Sequence, residues 1–308
     1  MTDLRAVVFA YSEVGCACLR EILRGGVAVQ ALFTCEDDPA EEIWFPSAAK
    51  LARAGGISVH TPSSLGSEEF RLVESLRPDA IFSFYYRSMI PEKFLLLPPR
   101  GAFNMHGSLL PKYRGRACIN WAVLRGETET GATLHHMVKR ADAGDIVDQQ
   151  SVPILFEDTA LDVSRKVAEA ARVLMERNIP LIAEGRAPRR PQDEKEATCF
   201  GRRTPADGLI NWNGKAVEIY NLVRAVTHPW PGAFTNASGR KTYIWKAFPE
   251  TDSRSRTIPP GTVLSPFPPR IATGEGVLLV LRSQIEGEGE DCGESLGTVL
   301  ESGQVLGS

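Results

Sequence analysis

The chain has 308 residues, 43% of them hydrophobic, with 35 Lys and Arg against 38 Asp and Glu for a net charge of -3. That length can bury a large core and favours two packed units, while the slightly acidic balance argues against a nucleic-acid binder or an anionic membrane surface as partner. Six scattered cysteines read as reduced thiols rather than a disulfide framework, and Cys16 and Cys18 lack a second Cys/His pair at zinc spacing, so no metal is expected. With no signal-type leader and no apolar run long enough for a bilayer, a cytoplasmic location without membrane insertion is predicted.

In chain order, "RAVVFAY" (5–11) predicts a buried strand, and residues 12–26 predict a helix with Ser12 as N-cap and Gly25-Gly26 as its stop. Residues 27–35 form a second strand. A helix and a strand follow in "PSAAKLARAGGISVHTP", then a helix ending before Pro78 and the apolar strand "AIFSFYY". Strands alternating with helices imply a Rossmann-like, doubly wound, mostly parallel α/β sheet with its site at the carboxyl ends of the strands. The first turn, "FAYSEVGC", lacks the glycine fingerprint of dinucleotide binding. Residues 158–186 predict a long helix capped by Asp158 or Thr159, with Pro180 near its end. The proline-rich, charged stretch 188–206 reads as a linker between a catalytic domain (1–187) and a smaller C-terminal domain (207–308). That second domain opens with a short strand and a helix, and its glycine- and proline-punctuated strands predict an OB-like β-barrel.

Chemistry-bearing residues concentrate in "FNMHGSLLPKYRGRACINWA" and "ETGATLHHMVKRADAGDIV". On a strand, Asn104 and His106 share a face about 7 Å apart, and Gly107, Ser108 and Pro111 end that strand at its carboxyl edge. Asp142 falls in a tight D-A-G-D turn. Such a trio suits acyl transfer to an amine. The Asn104 amide donates to a developing oxyanion, His106, titrating near neutrality, moves the proton, and Asp142 orients or charges the imidazole. A structural histidine and an ordinary turn fit the same spacing, so spacing alone leaves both readings open.

These two motifs closely resemble the formyltransferases that use 10-formyltetrahydrofolate, a family marked by N-x-H-x-S-L-L-P-x-Y-R-G and a later D-x-G. Within it the chain is most similar to the branch that formylates UDP-4-amino-4-deoxy-L-arabinose, through "RGRA" (114–117), "HHMVKRADAGDIV", "EATCFGRRTPADG" and "VRAVTHPWPGAF". The resemblance implies Asn104, His106 and Asp142 as the catalytic trio. It implies a donor pocket lined by Ser88, Met89, Ile90, Arg116, Val138, Lys139, Arg140, Ala141 and Asp142, with 10-formyltetrahydrofolate as co-substrate. It further implies a UDP-linked 4-amino sugar as acceptor, a link to lipid A modification and cationic-peptide resistance, and a UDP-glucuronate decarboxylase as fused or associated partner. Cys118 departs from the family, which usually has proline there, and is expected to alter turn rigidity more than chemistry. His135 and His136 are expected to pack or face solvent, and Arg189, Arg190, Arg202 and Arg203 to be linker charges.

The nearest rivals are methionyl-tRNA formyltransferase and a formyltransferase for another nucleotide-linked amino sugar. Residues 204–308 carry nine Lys and Arg against eleven Asp and Glu, which argues against a tRNA acceptor. A non-catalytic folate-binding protein is disfavoured by the intact trio.

Overall fold

The computed structural model describes residues 3–37, 42–252 and 257–307, which fall into two compact units. The first comprises Met1–Ile119, Glu129–Pro153 and Val163–Gly201; the second comprises Asn120–Thr128, Ile154–Asp162 and Arg202–Ser308.

In the first unit, β1 (Arg5–Ala10), α1 (Ser12–Arg24), β2 (Ala28–Phe33), α2 (Ala48–Ala54), β3 (Ser58–His60), α3 (Ser67–Leu76) and β4 (Ala80–Phe84) follow the predicted alternation. Tyr11, still extended, holds the cap position of α1, so Ser12 begins the helix instead of capping it. Arg77 ends α3 in the left-handed conformation one residue before Pro78. Then come α4 (Glu92–Leu95), β5 (Ala102–His106), β6 (Arg114–Gly115), α5 (Cys118–Leu124), β7 (Glu129–His136), β8 (Ile146–Pro153), α6 (Ala160–Ala183) and β9 (Cys199–Phe200), with residues 120–124 of α5 and 160–162 of α6 belonging to the second unit.

The main sheet has the order β3-β2-β1-β4-β5-β7-β8. It is parallel through β5, and β7 and β8 are added antiparallel. Its core is aromatic: Phe9 stacks on Phe33 at 4.8 Å and meets Phe94 edge-on at 6.4 Å. Fully burying rings of this size removes enough apolar surface to contribute about 2 kcal/mol each. Thr159 caps α6 through a reciprocal pair with Asp162, its backbone N–H donating to the carboxylate at 2.9 Å while its hydroxyl accepts from the Asp162 N–H at 3.3 Å.

The stretch expected as a linker is not free along its length. Arg190 exchanges two backbone hydrogen bonds with Ile146, and β9 pairs in parallel with β6, so residues through Gly201 belong to the first unit. Backbone pairing decides this, and the stretch's proline and charge content does not reveal it.

The second unit holds α7 (Ala216–Val226), β10 (Ala233–Ala237), β11 (Arg240–Glu250), β12 (Val263–Pro266), β13 (Pro269–Ala272), β14 (Val277–Ile285) and α8 (Glu294–Val299). Its antiparallel sheet runs β10-β11-β14-β13-β12. The C-terminal tail bridges both edges, Val305 to Thr262 and Gly307 to Asn236, which curls the sheet into a half-barrel. The strand expected near residue 210 reduces to one bridge, Leu209 to Phe234. Buried Arg224 donates to Asn221 Oδ1 at 2.9 Å and to the Asp158 carbonyl at 2.9 Å, the pairing a buried guanidinium requires.

Candidate active site

Asn104 and His106 project from one face of β5, and the antiparallel β7 sets His135 directly opposite Asn104 and Thr133 opposite His106. The turn after β7 leaves the sheet at the amino end of β5 yet folds back over this face. Asp142 Oδ1 thereby lies 3.6 Å from His106 Nδ1 and 3.7 Å from His135 Nε2. The site therefore sits on the β5–β7 face as well as at the strand's carboxyl edge, because an antiparallel neighbour brings its own side chains into register there.

Hydrogen-bond partners assign the two ring tautomers. His106 Nε2–H donates to the Tyr113 carbonyl at 2.8 Å, which turns Nδ1 toward Asp142. His135 Nδ1–H donates to the His136 carbonyl at 2.9 Å, so its Nε2 accepts from the Asn104 amide at 3.0 Å. That fixes the Asn104 amide and leaves its second N–H free of His135.

The same surroundings split the two histidines electrostatically. Burial opposes charge on His106, but Cys118, the Asp142 carboxylate and the Tyr113 carbonyl outweigh it and push its pKa up to about 10. His135, only 1% exposed, is pushed down by burial to about 4, with Asp142 offsetting only part of the effect. The surroundings thus favour charge on the His106 ring and disfavour it on the His135 ring. This environment raises the His106 pKa above the near-neutral titration expected from the sequence, because its charged form gains more from these neighbours than burial costs it.

Close approaches explain two glycines. A Cβ on Gly107 would lie 1.7 Å from the Tyr85 hydroxyl, and one on Gly144 would lie 1.8 Å from the His136 carbonyl oxygen. Asp142 itself adopts φ 55, and its Oδ2 accepts the Gly115 N–H at 2.9 Å. Below the pair, the Thr133 hydroxyl donates to the Ser108 carbonyl at 2.6 Å and accepts from Leu110 N–H at 3.1 Å, pinning the turn after β5.

The donor-pocket candidates divide. Ser88, Met89, Arg116, Val138, Lys139, Arg140 and Ala141 are exposed, whereas the Ile90 side chain is buried in the core cluster with Phe9 and Phe94. Lys139 reaches Glu92 at 3.9 Å, and Arg140 pairs with Glu194 at 3.0 Å. His136 packs on Phe103 and bonds the Pro188 carbonyl. Arg189 faces Asp145 at 3.7 Å, and Arg203 stacks on Trp121.

Two residues are more engaged than the sequence suggests. His135 is part of the site, a placement that needs the β5–β7 register to see. Cys118, which starts α5, is buried beside the His106 ring, whose pKa it raises, and neighbours Tyr85 at Gly107, so its surroundings reach beyond the turn. Among the described residues no group of three or more His, Cys, Asp or Glu could hold a metal ion, and no helix is long and apolar enough to cross a membrane.

Comparison with known proteins gives a consistent picture. The family described as formyl transferase matches residues 26–179, half of the chain, and formyl transferase, C-terminal domain, matches residues 202–292. Among solved structures, an N-formyltransferase from Helicobacter canadensis in complex with folinic acid and dTDP-3-aminofucose aligns with a TM-score of 0.71 at 22% identity, covering 92% of this chain and 99% of that one. The sugar 3N-formyl transferase WlaRD, in the presence of dTDP and 5-N-formyl-THF, aligns at 0.69 and 20%, covering 92% and 98%. A 4-N formyltransferase from Francisella tularensis aligns at 0.64 and 20%, covering 78% and 96%. At these identities the structures establish a shared fold, and with both family segments matched in order, this chain belongs to the formyl transferase family.

Proposed function

We propose that the chain transfers the formyl group of 10-formyltetrahydrofolate to the 4-amino group of UDP-4-amino-4-deoxy-L-arabinose, in lipid A modification and resistance to cationic antimicrobial peptides. The observation that carries the reaction is the convergence of Asn104, His106 and Asp142 on one sheet face. The donor supplies the N-formyl carbon. Asn104, one N–H held by His135, offers the other to the oxyanion that develops there, a contact worth about 3 kcal/mol. His106 gives its proton to the leaving nitrogen, and Asp142 takes the proton that the attacking amine loses. One proton moves from acceptor to donor, and none is consumed.

Ser88, Met89, Arg116 and the turn Val138 to Ala141 are exposed, which supports their being open to a bound donor. Arg116 suits the carboxylates of a folate, and Ile90 would serve through its backbone. The acidic balance of residues 204–308 supports a small acceptor over tRNA. A second reading, a dTDP-linked amino sugar as acceptor, is favoured by the ligands named for the Helicobacter canadensis enzyme and WlaRD.

The test offers purified protein 10-formyltetrahydrofolate with UDP-4-amino-4-deoxy-L-arabinose, dTDP-linked 3- and 4-amino sugars, and methionyl-tRNA. The highest kcat/KM is expected with the UDP sugar. Preference for a dTDP sugar selects the second reading, and formylation of tRNA alone sinks both.

A further inference from the structure

Gln192 lies in the stretch that composition marks as linker, yet its side-chain amide is fully engaged. Nε2 donates to the Asp142 carbonyl at 2.9 Å and to the Gly144 carbonyl at 2.7 Å. Oε1 accepts from Arg114 Nε at 3.2 Å and Nη2 at 2.7 Å. Two donors and two acceptor sites are thus all used, which leaves the amide one orientation.

We infer that Gln192 is a positioning residue for the reacting cluster, tying the loop that carries Arg114 to the turn that carries Asp142.

Arg114 is 3% exposed and holds Glu194 through two N–H groups at 3.1 and 2.7 Å. Its backbone N–H donates to the Thr198 carbonyl at 2.8 Å, Arg116 N–H donates to the Phe200 carbonyl at 3.0 Å, and the Tyr113 ring stacks on Phe200 at 5.0 Å. Residues 192–200 therefore grip the loop on one side and the Asp142 turn on the other.

Both loops are conformationally demanding. Tyr113 (φ 59), Ala117 (φ 53) and Asp142 (φ 55) are non-glycine residues in the left-handed region, which persists only where surrounding contacts over-determine it. The two loops also hold the two nitrogens of one imidazole. Tyr113 supplies the carbonyl for His106 Nε2, and Asp142 supplies the carboxylate facing Nδ1. A shift of one loop against the other would move the carboxylate from the ring while leaving the sheet intact.

The inference rests on reading Asn104, His106 and Asp142 as the reacting cluster, and its test separates the two. Gln192→Glu keeps the size and the Arg114 partner but sets an oxygen against two carbonyls. Its kcat should fall about tenfold to a hundredfold, the cost of a misplacement near 1 Å, with acceptor KM little changed. Activity should partly recover at lower pH, where the protonated carboxyl again donates. In Gln192→Met, which has no donor, the His106 ring followed by NMR should titrate below its wild-type value. A folded Gln192→Glu with wild-type kcat and pH profile would overturn the inference. So would an unmoved His106 titration in Gln192→Met, the readout that remains if Gln192→Glu does not fold. Wild-type protein inactive on every acceptor would instead count against the proposed reaction, while the titration still reports on positioning.

Discussion

The side-chain amide of Asn104 donates to Nε2 of His135 at 3.0 Å, across the β5–β7 pair in which the two are direct neighbours. Because His135 Nδ1–H is committed to the His136 carbonyl, only Nε2 can accept, and the Asn104 amide is aimed by a ring that stays neutral. Removing an oxyanion donor costs about 3 kcal/mol, so Asn104→Ala should lose roughly a hundredfold in kcat. His135→Ala should lose less, since the amide is freed but still present. Steady-state kinetics on both variants checks the order; a greater loss in His135→Ala would give that ring the larger role.

Asp142 helps hold His106 in its charged form, with its carboxylate 3.6 Å from Nδ1. In Asp142→Asn the His106 pKa should drop from about 10, and the alkaline limb of the pH–rate profile should move down with it. His106→Ala should remove the limb and cut turnover by about a hundredfold or more. An unshifted profile in Asp142→Asn would separate the carboxylate from the proton transfer.

Cys118 stands beside the same imidazole and raises its pKa. Cys118→Ala should therefore lower the His106 titration measured by NMR, with little change in melting temperature for so small a truncation. Cys118→Pro, the residue the family usually carries, should lower it as well. If neither variant moves the titration, Cys118 acts on the turn alone.

The two histidines set opposite pH limits on stability. His135 has its folded pKa lowered to about 4, below the unfolded value near 6.5. Its contribution is fully present above that unfolded value and is lost as pH falls through about 4. His106 has its folded pKa raised to about 10, so its contribution is fully present below about 6.5 and is lost as pH rises through about 10. Denaturant unfolding across pH should show both limbs. His135→Gln should flatten the acid limb and His106→Gln the alkaline one, and a variant that leaves its own limb untouched would refute that assignment.

Much was legible in the chain itself. The alternation of apolar strands with glycine-stopped helices specified the doubly wound sheet, because side-chain period and turn residues are local properties. The spacing of Asn104 and His106 put them on one face for the same reason, and the motifs around them carried the resemblance to formyltransferases. Three things needed the tertiary structure. The antiparallel register of β7 brought His135 to Asn104, and no periodicity within either strand encodes which residue lies opposite. The pairing of β9 with β6, with Gln192 at the Asp142 turn, converted an apparent linker into part of the site, since backbone hydrogen bonds between distant segments leave no trace in composition. The opposite pKa shifts were decided last, by how burial, the Cys118 thiol, a carboxylate and two carbonyls meet around two otherwise identical imidazoles.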